Sequence, residues 1–315
     1  MQNKLAIAIP TYNRAAMLEY NLLQIIDELV RYNVPVYISD DSTNTDTELC
    51  IGKLNEKYGL FHYKKNEIRL GHDLNCLHTI SLPAEQYVWY LGDSMIIKPG
   101  AIKKVLSHIH SDGPDFISCN AEGRNLDIDS RVFDNGVVLF ETLCWHLTMT
   151  GSTIYNTNTI LDLAHFEASK FKNFPQTAII FEQFAATASR LFWINEKLIY
   201  GNPKKNSYWA SKVFEVFIDD FRSFLYNLPA FYSMKSKKGV LLQHSVNSGV
   251  FSYRSFILYR MEGFYDHEIF KKYKDDFKNF TRTNMLFLFI VSVTWIKPLR
   301  EFNLFLKRII LTFRN

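Results

Sequence analysis

Apolar segments that end in polar turns occur three times within the first hundred residues of the chain. Each has a strand-like apolar run that stops at hydroxyl, amide or carboxylate side chains. Open α/β sheets bind ligands at the carboxyl ends of their strands, so we expect the three turns to line one crevice. The segments are LAIAIPTYNR (5–14), VPVYISDDST (34–43) and YVWYLGDS (87–94).

Strands alternate with helices along this part of the chain, which predicts an α/β fold with a mainly parallel sheet flanked by helices. Leucine, isoleucine and valine recur at helical spacing over residues 18–30, so the first two strands enclose a helix as a β-α-β unit. Residues 121–140 are predicted to be loop-rich. The other predicted elements are helices at 45–58, 101–109 and 181–191, and strands at 60–64, 115–118 and 150–155.

The composition changes at about residue 204, where aromatic-rich helical segments begin. We predict a first domain over 1–203 and a helical appendage over 204–315. Its helices are expected at 213–228 and 251–270, on either side of a basic loop, Lys235–Gly239. Residues 283–296 carry no charge, but as a helix they would cover only about 21 Å of a hydrocarbon core of about 30 Å.

The C-terminal segment has a basic amphipathic pattern. Lys and Arg outnumber Asp and Glu by 36 to 32, and residues 297–315 alone hold five basic residues and one acidic residue, so the rest of the chain is neutral. This localised charge argues against a nucleic-acid partner and favours an anionic membrane surface. The alternative is a helix docked on the protein's own core. The apolar stripe consists of Phe302, Phe305, Leu306, Ile309, Ile310 and Phe313.

The cysteines and the N-terminal segment indicate the cellular compartment in which we expect the protein. The four cysteines are widely spaced without a CxxC pair, which favours reduced thiols over a disulfide framework or a zinc site. No basic segment with an apolar core and a cleavage site precedes the first strand, so we expect no signal peptide. The predicted location is the cytoplasm, peripheral on the cytoplasmic face of the inner membrane.

The order and spacing of the three turns resemble the nucleotide-sugar-binding half of a family 2 glycosyltransferase of the GT-A fold, over roughly residues 4–200. The resemblance implies a Rossmann-like sheet and an enzyme of the bacterial surface-polysaccharide type. It also implies inverting transfer of a sugar from a nucleotide-diphosphate donor to a lipid-linked or polysaccharide acceptor, in a single displacement.

The first two turns supply the donor pocket that the resemblance implies. Pro10, Thr11 and Tyr12 would contact the base and ribose, and Asp41 would accept a hydrogen bond from the base. Arg14 would contact the diphosphate, or would be a surface residue at a helix start. Taken singly, these motifs are also typical of turns and helix caps.

The third turn departs from the family, whose relatives usually have an Asp-x-Asp that holds a divalent cation against the diphosphate. In our alignment Asp93 matches the carboxylate that contacts the ribose, and Ser94 replaces the usual metal ligand. Asp93 remains as a candidate ligand for Mn²⁺ or Mg²⁺. Three interpretations stay open: weak or water-mediated metal binding, metal-free catalysis with cationic side chains that neutralise the diphosphate, or lost activity.

Two later segments match family elements. The run 243–249, which holds His244 and Ser245, resembles an element that closes over the diphosphate. Glu182 resembles one member of an acidic pair at the start of a helix on the acceptor side, and it would deprotonate the acceptor hydroxyl. The second member, which is commonly the base, is Gln183 here. Glu182 would otherwise only interact with the helix dipole.

Two rival functions remain. Ser94, Met95 and Gln183 stand where acidic residues are expected, which also fits a catalytically impaired nucleotide-sugar-binding protein of the same fold. A nucleotidyltransferase would normally show a Gly-rich phosphate loop near its N-terminus, and the PTYNR turn is not one.

Overall fold

The computed structural model describes residues 4–109, 113–124, 126–204 and 209–294. Within them the chain forms one sheet of nine strands, in the order β3-β2-β1-β4-β8-β6-β9-β5, with β7 paired to β9 at the side. The strands are β1 (Leu5–Thr11), β2 (Val36–Asp40), β3 (Phe61–Lys65), β4 (Tyr87–Tyr90), β5 (Met95–Ile97), β6 (Phe116–Ala121), β7 (Arg131–Phe133), β8 (Thr153–Asn156) and β9 (Leu191–Gly201).

The first half of the sheet is parallel, as the alternation of strands and helices predicts. β1 lies between β2 and β4, and β2 also pairs with β3, all in parallel. The register sets Thr11 of β1 beside Asp40 of β2, so both strands end at the same edge. Beyond β4 the sheet is mixed, because β8 runs antiparallel to both β4 and β6.

Twelve α-helices surround the sheet or follow it in the described residues, together with short 3₁₀ turns. A π-helix, Glu215–Asp220, leads directly into α8. The helices are α1 (Ala15–Leu23), α2 (Ile26–Tyr32), α3 (Asp46–Tyr58), α4 (Gly71–Ser81), α5 (Ala101–Leu106), α6 (Gly136–Leu147), α7 (Pro175–Ala186), α8 (Phe221–Asn227), α9 (Met234–Ser248), α10 (Tyr253–Glu262), α11 (His267–Phe280) and α12 (Met285–Val293).

Two predicted elements in the middle of the chain need correction. The loop predicted over 121–140 contains β7 and the start of α6. The side chain of Asn135 caps α6 by accepting hydrogen bonds from the N–H groups of Val137 and Val138, each at 3.0 Å. The helix predicted over 181–191 is α7, which starts six residues earlier at Pro175, a favoured first helical residue, and ends before β9.

The predicted basic loop over 235–239 is also wrong, because these residues belong to α9. Ser233 caps this helix through its hydroxyl, which accepts a hydrogen bond from the N–H of Ser236 at 3.1 Å. Lys237 is buried and donates its ammonium group to the carbonyl of Leu228 at 2.5 Å. The basic run is therefore helical, and one of its lysines, Lys237, is buried against the protein.

Apolar residues pack into two clusters of buried side chains. One holds β1, β2 and the helices next to them, and the other joins α6 and α7 to the helices after residue 209. Phe214 is buried in the second cluster. The C-terminal helices thus share their core with the sheet, while the boundary at 203/204 stays a prediction.

No helix in the described ranges is both long enough and apolar enough to cross a membrane. Within the uncharged segment 283–296, residues Met285–Val293 form α12. Residues 295–296 lie outside the described part of the chain. The basic amphipathic segment 297–315 lies outside it as well.

Candidate active site

The three polar turns meet at one edge of the sheet, as the sequence predicts. The N–H of Asp41 donates to the carbonyl of Thr11 at 3.0 Å, which joins the first two turns. The hydroxyl of Thr11 donates to Asp93 Oδ2 at 3.2 Å, which joins the first turn to the third. Asn13 adopts a left-handed conformation with φ 54°, and its side-chain oxygen accepts from the N–H of Thr43 at 3.0 Å.

A cavity of about 710 Å³ opens above this edge, between the three turns and the C-terminal helices. The far wall comes from Phe217 of the π-helix, His244 of α9 and Tyr259 of α10. Ser245 and Glu182 are not among the lining residues. The predicted site residues that line the cavity are Pro10, Thr11, Tyr12, Arg14, Asp41, Asp93, Ser94 and His244.

Asp93 is held on both of its carboxylate oxygens. Oδ1 accepts a hydrogen bond from the Arg14 guanidinium at 3.0 Å, and Oδ2 accepts from Thr11. Burial raises the pKa of the Asp93 carboxyl, and the charge of Arg14 opposes that rise. Arg14 thus reaches into the site, where it forms a mostly buried ion pair.

Asp41 organises the loop that leads into α4. Its Oδ1 accepts from the side chain of Asn66 at 2.6 Å and from the N–H of Leu70 at 3.2 Å, and its Oδ2 accepts from the N–H of Gly71 at 2.8 Å. The carboxylate therefore complements the N-terminus of α4. Contact with a nucleobase, which the resemblance implies for Asp41, stays a prediction.

Tyr12 presents its ring to the cavity and is covered by an arginine. The guanidinium of Arg69 lies 4.3 Å from the ring centroid, a cation–π contact. An aromatic ring and a planar guanidinium are both surfaces on which a nucleobase stacks. Tyr12 is predicted from the sequence but Arg69 is not, because the two residues are 57 positions apart and only the fold brings them together.

Two asparagines that sequence analysis missed hold the third turn in place. The side-chain amide of Asn21 donates to the carbonyl of Asp93 at 2.7 Å, and that of Asn202 donates to Asn21 Oδ1 at 2.8 Å. The N–H of Asn202 also donates to the carbonyl of Ser94 at 2.8 Å. These backbone contacts fix the direction in which Asp93 and Ser94 point into the cavity.

The third turn offers a poor donor set for a divalent cation. In the described ranges, no group of three or more His, Cys, Asp or Glu side chains is arranged to hold a metal ion. Asp93 has both oxygens engaged by Arg14 and Thr11, and Ser94 offers a hydroxyl, a weaker ligand than a carboxylate. The candidate ligand Asp93 is thus committed to an ion pair.

His244 and Ser245 lie in the last turns of α9, not in a loop. His244 lines the cavity and packs against the rings of Phe217 and Phe221, at centroid distances of 5.2 and 4.5 Å. Burial, assisted by the charge of Arg124, lowers the pKa of His244 to about 3, so its imidazole is neutral at neutral pH. Ser245 is buried, and its hydroxyl has no hydrogen-bond partner within the described part of the chain.

The geometry does not support Glu182 as the base. Because α7 begins at Pro175, Glu182 lies about 9 Å further along the helix axis than Gln176, which lines the cavity. Burial raises the pKa of the Glu182 carboxyl, and the charges that oppose the rise belong to Lys170 and Lys237, neither of which lines the cavity. The position at the start of the helix, where the resemblance expects acidic residues, is occupied by Gln176.

Gln176 is a further lining residue that sequence analysis missed. It is only 4% exposed, and its Oε1 has no hydrogen-bond partner within the described ranges. Its amide nitrogen donates to the carbonyl of Thr148 at 3.4 Å. A buried amide oxygen without a partner costs free energy, and a ligand hydroxyl in the cavity would supply the missing hydrogen bond.

The chain resembles known glycosyltransferases in sequence and in fold. Abequosyltransferase RfbV of Salmonella typhimurium is 23% identical over 253 residues, which are 73% of this chain and 75% of that protein. S. aureus TarS 1–349 superposes with a TM-score of 0.57 at 15% identity, over 88% of this chain and 80% of that one.

A second solved structure widens the comparison. The mannosyltransferase PcManGT of Pyrobaculum calidifontis, in complex with GDP-Man and Mn²⁺, superposes with a TM-score of 0.54 at 12% identity, over 92% of this chain and 86% of that one. At these identities the likeness is one of fold, and it confirms the predicted GT-A architecture. A sequence model described as glycosyl transferase family 2 matches residues 6–174, more than half of the chain, and the chain therefore belongs to that family.

Proposed function

We propose that this glycosyltransferase moves a sugar from a nucleotide-diphosphate donor to a lipid-linked or polysaccharide acceptor in the synthesis of a surface glycan. The observation that supports this most is the cavity of about 710 Å³, into which the three strand-end turns project a stacking ring, an ion pair and two hydroxyl groups. A volume of this order accommodates a ligand larger than a nucleotide alone.

The comparisons support the donor and the pathway class. Structures of TarS were solved with UDP and with UDP-GlcNAc, and the structure of PcManGT with GDP-Man. RfbV carries the name of an abequosyltransferase. We propose inversion at the anomeric carbon by a single displacement, in which the acceptor oxygen attacks and the nucleoside diphosphate leaves. Glu182 is not part of this proposal, because it does not line the cavity and lies about 9 Å further along α7 than Gln176, which does.

The alternative is a nucleotide-sugar-binding protein that has lost turnover. Ser94 in the third turn and Gln176 at the start of α7 favour it, because both stand where a carboxylate is expected. An arrangement that binds the donor but lacks a base would still contain every contact described for Thr11, Tyr12 and Asp93.

Release of nucleoside diphosphate separates the two functions. We expect the purified chain, given UDP-, GDP-, CDP- and TDP-sugars together with a lipid and polysaccharide extract, to release nucleoside diphosphate from one donor class. For comparison, a typical enzyme would release product at about 1–1000 per second. A Tyr12→Ala variant should slow release from the same donor, because it lacks the stacking ring. Tyr20→Ala, at an exposed position on α1, is the matched control and should release nucleoside diphosphate as the wild type does. Tight donor binding without release would favour the binding protein.

We further propose that the C-terminal part of the chain docks on an anionic membrane surface. α12 leaves four apolar side chains between 41% and 66% exposed, Leu286, Phe289, Ile290 and Val293. The segment that follows carries five basic residues and one acidic residue over 297–315. An exposed apolar helix face, followed in the sequence by clustered basic residues, is a combination that favours binding to an anionic bilayer interface.

Deletion of residues 297–315 is expected to abolish most of this binding. Each basic residue near an anionic surface contributes about 1 kcal/mol, so the net charge of this segment corresponds to a loss of at least about 100-fold in partitioning. Co-sedimentation with phosphatidylglycerol-containing vesicles, and with pure phosphatidylcholine vesicles as the control, measures it. Unchanged sedimentation of the deletion variant would contradict the membrane proposal.

A further inference from the structure

Arg124 lies in the wall of the cavity, three residues after β6. Its guanidinium donates to the carbonyl of Trp145 at 3.1 Å and lies 5.0 Å from the centroid of the Trp145 ring. No carboxylate in the described ranges is within ion-pair distance of it. The other two cavity-lining arginines differ, since Arg14 pairs with Asp93 and Arg69 covers Tyr12.

The guanidinium of Arg124 is charged at neutral pH. Burial lowers its pKa to about 10, which still leaves it protonated at pH 7. A partly buried cation without a carboxylate partner is unfavourable in the protein alone, and an anionic ligand in the cavity would compensate it. The cavity as a whole also favours an anion, because three arginines and two aspartates line it.

The fold places the wall that carries Arg124 next to the third turn. Trp145, whose carbonyl holds Arg124, lies at the C-terminal end of α6, and the chain continues from there to Thr150. Thr150 lines the cavity and packs so closely on Gly92 that a Cβ at Gly92 would lie 3.1 Å from its Cγ2 atom. The segment from Trp145 to Thr150 therefore connects the wall that holds Arg124 to the Gly92–Ser94 turn, and both line the same cavity.

We infer that Arg124 binds the diphosphate of the donor and neutralises the charge that develops on it. The inference rests on the proposed function. In the transfer, the acceptor oxygen bonds to the anomeric carbon and its proton passes to solvent, while the electron pair of the breaking C–O bond leaves with the diphosphate. A planar guanidinium donates two parallel hydrogen bonds to phosphate oxygens, which suits this position.

Arg124 would supply the positive charge that the third turn is poorly suited to hold in the form of a metal ion. Ser94 and the engaged Asp93 make a poor cation site, so the departing diphosphate needs another positive group. His244 faces the same cavity but is neutral, with a pKa of about 3. Of the three lining arginines, Arg69 and Arg124 form no ion pair with a described carboxylate. Arg69 covers the ring of Tyr12, so we assign the diphosphate to Arg124, which the carbonyl of Trp145 holds in the cavity wall.

Paired titrations test the assignment. The probes are UDP, GDP, CDP and TDP with their parent nucleosides, titrated by calorimetry in EDTA. For the nucleotide that binds the wild type, Arg124→Gln is expected to weaken diphosphate binding about 10- to 100-fold, and to leave nucleoside binding unchanged. Arg124→Lys should retain part of the affinity. Arg254→Gln, an exposed arginine on α10, is the control and should bind as the wild type does.

Three results would overturn the inference. They are equal weakening of nucleoside and diphosphate by Arg124→Gln, unchanged diphosphate binding, and a wild type that binds diphosphate only when manganese is added. Unchanged diphosphate binding with impaired transfer would assign Arg124 to an anionic acceptor, and would equally reject the donor assignment. If the wild type binds no nucleoside diphosphate at all, the proposed function itself fails.

Discussion

Replacement of Asp93 by asparagine is expected to weaken nucleoside-diphosphate binding about 10- to 100-fold. The carboxylate accepts from Arg14 and Thr11 and thereby fixes the first and third turns in their relative positions. Without the carboxylate the two turns are no longer held in the arrangement that binds the ligand, and a loss of this size corresponds to about 1.4–2.8 kcal/mol of binding free energy. Calorimetric titration of the variant with the nucleotide that binds the wild type measures it.

The same substitution is expected to leave the fold as stable as the wild type, within about 1 kcal/mol. Because burial raises the pKa of Asp93, ionisation of this side chain costs free energy in the folded state, and a neutral amide avoids that cost. Thermal unfolding of the variant and the wild type over a series of pH values measures the difference. Asp129→Asn, an exposed position, serves as control. Wild-type affinity in the Asp93 variant would show that the ion pair has no part in donor binding.

Phe214→Ala is expected to lower the free energy of unfolding by about 3–5 kcal/mol. The ring is buried, and its centroid lies 5.5–6.0 Å from those of six other aromatic rings. Its removal leaves a cavity in the core that the C-terminal helices share with the sheet. The six rings are those of Phe251, Phe256, Tyr259, Tyr265, Tyr273 and Phe277.

The Phe214 variant also tests the domain boundary predicted at 203/204. If the helices and the sheet form one cooperative unit, denaturant unfolding of the variant should show a single transition. Its midpoint should be lower than that of the wild type, and it should be the same whether far-UV circular dichroism or nucleotide binding is followed. Two separate transitions would instead favour an independent appendage. Tyr226→Ala removes a ring from α8 that is 41% exposed, and it should change stability by less than about 1 kcal/mol.

The donor side of the site could be predicted from the sequence because its determinants are local. An apolar strand that is followed at once by polar residues shows in the sequence where the strand ends. Parallel pairing then brings Thr11, Asp41 and Asp93 to one edge of the sheet. The predicted meeting of the three turns is confirmed by the contacts between them.

The start of α7 on the acceptor side could not be predicted in the same way, because the first half of this helix is buried on every side. Buried residues occupy almost every position of α7 from Pro175 to Phe181, so periodicity does not mark where the helix begins. The predicted helix therefore begins at residue 181, six residues after its actual start, and Glu182 is predicted at a helix start that it does not occupy. Pro175 was the available signal, since proline is favoured at the first helical position.

Residues that act through long-range contacts left no pattern in the sequence. Asn21 and Asn202 are 181 positions apart, yet they form one hydrogen-bonded chain to the backbone of Asp93. Arg124 lies in a stretch that composition assigned to a loop, and its role depends on the position of Trp145 in α6. Only the assembled fold shows which of these polar side chains reach the cavity.

Calorimetric titration of the purified chain with UDP, GDP, CDP and TDP, each with and without manganese, tests the account most directly. We expect one nucleoside diphosphate to bind at micromolar concentration, and to bind as tightly in EDTA as with manganese. Failure of all four to bind would contradict the assignment of the cavity as a nucleotide-sugar site.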